Sequence, residues 1–210
     1  MQGSTSSEQE ESIRLQFDAL SAEYDMVRNA VFGNRQMIGQ LDALALTALG
    51  ISIPLTLAIL DRDINSIGAV LVVPILFFAI AFVQLRHERQ AVLDSIYVHT
   101  RLRPKMNSLL SKVSTEEVSV FEYERFLAEN YFPPNLLVQW MITGGRAGIS
   151  FVAGILVIVI SLYLQLVLFN VSWAGYETWL LAIALIALVV DSLFALTTAR
   201  IFYKFYSEQA

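Results

Sequence analysis

A chain of 210 residues that is 56% hydrophobic and only 16% charged carries more apolar and fewer charged residues than water can solvate in an ordinary domain, which excludes a conventional soluble fold. A net charge of -5 argues against nucleic acid held on a broad basic surface, though not against a small local patch. The absence of cysteine excludes disulfides, thiolate metal centres, iron–sulfur clusters and cysteine nucleophiles.

In chain order, residues 1–12 are polar and acidic and read as a disordered tail; they hold no basic n-region, short apolar core or small-residue cleavage site, so the first membrane helix is expected to direct insertion. Residues 13–42 carry a seam of Ile13, Phe17, Leu20, Tyr24, Val27, Val31, Asn34, Ile38 and Leu41. Its spacing alternates four and three, the heptad pattern of helices that wind around one another. With no proline to interrupt it, the seam runs on to Ala45 and Ala48, so the cytosolic helix and the first span are expected to form one rod. Phe17, Tyr24, Val31 and the polar Asn34 are the candidate oligomerisation residues, because a buried Asn in such a seam commonly fixes register and subunit number. The alternative is that the seam packs on the central segment of its own chain, with Asn34 bonded to a polar neighbour.

Four apolar runs follow, Ala43 to Leu60, Ser66 to Leu85, Ile149 to Phe169 and Trp179 to Leu196, each close to the ~20 residues that cross a bilayer. The expected fold is therefore all-α, a polytopic membrane protein with transmembrane helices at 43–60, 66–85, 147–170 and 177–198. The N-terminal and central cytosolic helices, 13–42 and 86–146, would form a helical bundle or coiled coil, and 199–210 a cytosolic tail. Of the 14 Lys and Arg residues, Arg62 alone falls in an outer turn, so the positive-inside rule puts both termini and the central segment in the cytosol. Trp173, Tyr176 and Trp179 gather at the outer end of spans three and four, the level that amphipathic rings prefer.

Within 86–146, Leu85, Val92, Ile96, Leu102, Met106, Leu109 and Val113 predict a helix leaving the membrane without a break, kinked or divided by Pro104. A second helix is expected from Thr115 to Asn130, capped by Ser114 or Thr115 and stopped before Pro133 and Pro134. An amphipathic piece, Leu136 to Ile142 with Trp140, leads through Gly144 and Gly145 into span three.

Inside the bilayer, Asp191 is the one acid well within a span. A lipid-facing carboxylate would cost about 3 kcal/mol, so it must face the bundle, a partner chain or water. It either lines an ion or proton path, or is a structural acid that is neutral or paired with Arg146 or Arg200. Ser161 and Gln165 lie one turn apart and either line a polar path or hydrogen-bond a neighbouring helix. Pro54 and Pro74 would each free a carbonyl and kink a span, candidate gating hinges or plain shape.

Catalytic equipment is missing from the pattern. His87 and His99 are too far apart on a helix to share a metal, and no phosphate loop, nucleophile elbow or dinucleotide turn occurs. An enzyme and a cofactor are not expected. A small proton-coupled transporter using Asp191 or a membrane scaffold or receptor subunit are the alternatives to a channel.

Three stretches, LSAEYDMVRNAVFGNRQMIGQLDALALTALG, LRHERQAVLDSIYVHTRLRPKM and FEYERFLAENYF, together resemble a group of bacterial four-span membrane proteins that includes the antiphage effectors of the Hailong defence system. The resemblance covers about residues 13 to 130. It implies a homo-oligomeric, by preference tetrameric, ion channel in the bacterial inner membrane, held shut by an oligonucleotide from a partner nucleotidyltransferase, whose opening depolarises the infected cell. On that reading Arg101, Arg103, Lys105 and Lys112 are the candidate phosphate contacts; otherwise they are ordinary cytosolic charges on a solvated face.

Overall fold

The computed structural model describes residues 3–62, 70–113, 147–164 and 175–207. Among these the chain is all-helical, with no strand. The helices are α1 (Gly3–Arg62), α2 (Val72–Tyr97), α3 (Arg103–Val113), α4 (Gly148–Tyr163) and α5 (Gly175–Ser207), and a π-helical turn, Val98–Leu102, joins α2 to α3. The expected helix at Thr115 to Asn130, the Leu136 to Ile142 piece and Trp173 lie outside the described residues.

α1 is a single helix of 60 residues, about 90 Å long at 1.5 Å per residue. It starts at Gly3, upstream of the expected Ile13, so residues 3–12 of the expected tail continue the helix, and residues 1–2 lie outside the described residues. Gln and Glu at positions 8–11 are good helix formers, and no Gly or Pro separates them from the seam, so the helix propagates through them.

α2 is the central element, packed against α1 on one side and against α4 and α5 on the other. Its two apolar stripes explain this. Phe77 and Ile80 meet Ala45 of α1 and Ala153 of α4; Ala81 and Leu85 meet Ala147 and Ala195; and Phe78 meets Ile158 and Ala184. Large rings on α2 thus fit against small residues on its neighbours, which lets the helices approach closely. Gly154 of α4 is the tightest instance, since a Cβ there would come within 2.8 Å of the Phe78 ring.

Pro104 does not break the second rod. The Arg103 N–H bonds back to the Val98 carbonyl, five residues earlier. Proline has no N–H and its ring crowds the carbonyl four residues back, so one wider turn lets the chain pass and resume as α3. Pro74 corrects another expectation, because it is the third residue of α2. N–H groups in a first turn have no helical acceptor, so proline there initiates the helix without kinking it.

Among the described residues two helices are long and apolar enough to cross a membrane, Glu10–Ile59 and Gly175–Phe205, and Gly148–Tyr163 is apolar but shorter. Only 11% and 17% of their most apolar windows are buried, so they are not core helices of a soluble chain. Their exposed aliphatic faces suit lipid or the surface of a partner. Trp179, 72% exposed, and Tyr176 sit at the start of α5.

Candidate functional site

Gln84, near the C-terminal end of the second apolar run, is 1% exposed. Its amide joins three helices. Nε2 donates to Asp42 Oδ1 of α1 at 2.7 Å, and Oε1 accepts from Ser150 Oγ of α4 at 2.9 Å. Asp42 ends the heptad segment and Ser150 lies in the first turn of α4, so this polar layer marks the level at which the apolar bundle gives way to the helical extension. Each group is satisfied by the next, as burial demands.

Asp191 is 2% exposed. It shares one face of α5 with the buried Ala184, Ala195 and Thr198, seven residues before and four and seven after it. Along the helix it lies between the cluster of Ala81, Leu85 and Ala195 and that of Phe78, Ile158 and Ala184. It therefore points into the bundle. Its Oδ2 has no hydrogen-bond partner among the described residues. The Thr197 and Thr198 hydroxyls both donate to the Phe194 carbonyl, at 2.8 and 2.9 Å. Arg200 is exposed, and Arg146 lies outside the described residues.

Ser161 is 1% exposed and its Oγ likewise has no partner among the described residues; Gln165, expected on the same face, lies outside them. Pro54 is inside α1 and exposed. Around it Ser52 Oγ donates to the Leu49 carbonyl and Thr56 Oγ1 to the Ser52 carbonyl, hydroxyl bonds that compete with the helical ladder where proline already weakens it.

The heptad seam faces inward. Phe17, Tyr24, Val31 and Asn34 are half-buried, and Ile38 and Ala45 buried, against α2, the π turn and α3. Asn34 Oδ1 lies 2.8 Å from His87 Nδ1, and the Tyr97 hydroxyl donates to Glu23 Oε1. Asn34 thus has a partner in its own chain. Further out, His99 packs near Phe205 at 6.1 Å between ring centroids, tying the end of α5 to the π turn.

Arg101, Lys105 and Lys112 are exposed, whereas Arg103 is half-buried with an interaction of its own. An open groove of ≈580 Å³ between α1 and α3 is lined by Gln16, Leu20, Lys105 and Ser108 among others, and includes only Lys105 of the four. No cluster of metal-ligating side chains occurs among the described residues.

Sequence reading missed Gln84 and its partners, and also a latch between α2 and α5. The Arg89 guanidinium lies 5.1 Å over the Phe194 ring, which stacks at a tilt on Phe82 with 5.4 Å between centroids. No protein-family model, curated protein or solved structure matches the chain.

Proposed function

We propose that the chain is a four-span protein of the bacterial inner membrane, with both termini and the central segment cytosolic, and that its homo-oligomer conducts ions under control of the cytosolic helices. The observation that carries the reading is Asp191, a buried carboxylate inside the apolar stretch of α5 whose Oδ2 has no partner among the described residues. A carboxylate there is too costly to keep for packing alone, and intramembrane acids typically mark ion or proton paths. The unbroken α1 supports control from the cytosol, because any tilt of residues before Asp42 is carried by one rigid element into the apolar region. No catalytic step is assigned.

Purified protein in planar bilayers should carry current, and Asp191→Asn should reduce conductance or cation preference while leaving the oligomer intact. Silent bilayers together with proton-driven uptake into vesicles would instead favour the transporter, which the single carboxylate also suits. A bilayer and a vesicle both inactive, with a stable copurifying partner, would make the chain a scaffold or receptor subunit.

The antiviral part of the proposal rests on the three stretches that resemble defence effectors. It assigns phosphate contact to Arg101, Lys105 and Lys112 and closure to a bound oligonucleotide. Short single-stranded oligonucleotides should then suppress the current, and Lys105→Glu should relieve the suppression; a current indifferent to them removes the nucleotide from the model of gating.

A further inference from the structure

The apolar stretches keep their polar groups on the inside. Among the described residues their exposed side chains are mostly aliphatic, as at Leu57, Leu76, Ile155, Val159, Ile186 and Val190, and the exposed Thr47 hydroxyl is turned onto the Ala43 carbonyl. Such faces suit lipid or an apolar neighbour and offer little to line a wet pore shared between copies. Gln84, Ser150, Ser161 and Asp191, in contrast, are each 2% exposed or less.

The inward groups fall at two levels. Ala147 of α4 and Ala195 of α5 belong to one cluster. From there, at 1.5 Å per residue, Ser150 stands about 5 Å and Asp191 about 6 Å along the bundle in the same direction, so Asp191 lies near the height of the hydrogen bond between Ser150 and Gln84. Ser161 follows on the same buried face of α4, about 16 Å beyond Ser150. Between the two levels stands the cluster of Phe78, Ile158 and Ala184, with the Phe78 ring lying against Gly154. Asp191 Oδ2 on one side of this apolar plug and Ser161 Oγ on the other have no hydrogen-bond partner among the described residues. Buried polar atoms without partners cost stability. Two of them flanking a plug gain a use if water and ions reach them once the plug moves.

We propose that cations cross through the bundle of each copy, between α2, α4 and α5, and not along an axis between copies, and that the Phe78 cluster is the gate that shuts this path. The lining favours a cation: no Lys or Arg is buried among the described residues, and carboxylate, amide and hydroxyl oxygens replace part of a small cation's water. An aromatic and aliphatic constriction closes by excluding water, and the missing side chain of Gly154 gives the Phe78 ring its seat. The inference rests on the conduction of the proposed function and adds where the ion runs and what stops it.

The chain lacks cysteine, so single cysteines report water access without background. Phe78→Ala should raise the basal current in bilayers severalfold, and Leu76→Ala, exposed on the same helix, should not. In vesicles of the Phe78→Ala chain, a small charged methanethiosulfonate, scored by intact mass, should label Ser161→Cys and Asp191→Cys and pass over Ile155→Cys and Val189→Cys, whose side chains face outward. With Phe78 in place the two inner cysteines should label more slowly. Where Phe78→Ala does not fold, Ile158→Thr wets the same cluster with less loss of volume. Labelling confined to Ile155→Cys or Val189→Cys, or no labelling at all, overturns the internal path, and inner labelling at equal rates with and without Phe78 overturns the gate. Inner labelling with silent bilayers would sink the channel and leave the path to a transporter, whereas current with outer labelling would sink the path and leave the channel.

Discussion

Gln84 and Asp42, 42 positions apart, are joined by a hydrogen bond of 2.7 Å at the level where the apolar bundle meets its helical extension. Because the same amide also accepts from Ser150, one residue holds α1, α2 and α4 in register. Gln84→Leu removes both bonds and strands a carboxylate, which should destabilise the bundle by about 1–3 kcal/mol. Asn at position 84, one methylene shorter, should recover at most part of this. Unfolding curves in mixed detergent micelles would measure the loss, and a change below the error of the curves would show that the layer is not a structural tie.

Gly154 and Phe78 make a second, purely steric prediction. A methyl group at 154 would stand 2.8 Å from Phe78 Cε1, and Phe78 is itself packed against Ile158 and Ala184 with little freedom to withdraw. Gly154→Ala should therefore cost about 1–3 kcal/mol by overpacking. Pairing it with Phe78→Leu should restore part of the loss, so the double-mutant cycle should return a non-additive coupling. Additive costs would mean that the ring relaxes away from the new methyl group.

What the sequence discloses here depends on the range over which each signal acts. The seam from Ile13 to Ala48 is legible because its period is local. Its partner is not, because a 3.5-residue repeat looks alike whether the facing helix belongs to the same chain or to another; the Asn34 to His87 contact gives the seam a partner within its own chain. Pro104 announces a disturbance, yet whether the helix ends or widens into a π turn depends on how Val98 and Leu102 are buried against their neighbours. Asp42, Gln84 and Ser150 are each ordinary polar residues near a span end. Their role appears only when folding brings together positions 66 residues apart. Asp191 stands out in sequence for the opposite reason, since a carboxylate among aliphatics is conspicuous without any contact.

The Tyr97 phenol is held above its usual value of 10.0, first by its hydrogen bond to the Glu23 carboxylate, then by burial and by the charge of Glu23. A raised value means that the folded chain favours the protonated phenol more than the unfolded chain does. The contribution is therefore complete below about pH 10 and is lost as pH rises through the raised value. Hydrogen exchange of the α1 and α2 extensions should accelerate above pH 10 in the native chain. In Tyr97→Phe it should be faster at neutral pH and lack that alkaline step; an identical alkaline step in the variant would assign it to another group.

Asn34 Oδ1 is 2.8 Å from His87 Nδ1 within the chain, so Asn34→Ala removes a tie between α1 and α2 and leaves a half-buried ring nitrogen unpaired, a loss of about 1 kcal/mol. If the seam binds inside the chain, the variant should loosen α1 from α2 while keeping the native subunit number. Native mass spectrometry reads the number and hydrogen exchange at residues 20–40 reads the loosening. A fall in subunit number for Asn34→Ala alone would return the seam to the interface between chains and would require α2 to leave α1 in the assembled protein.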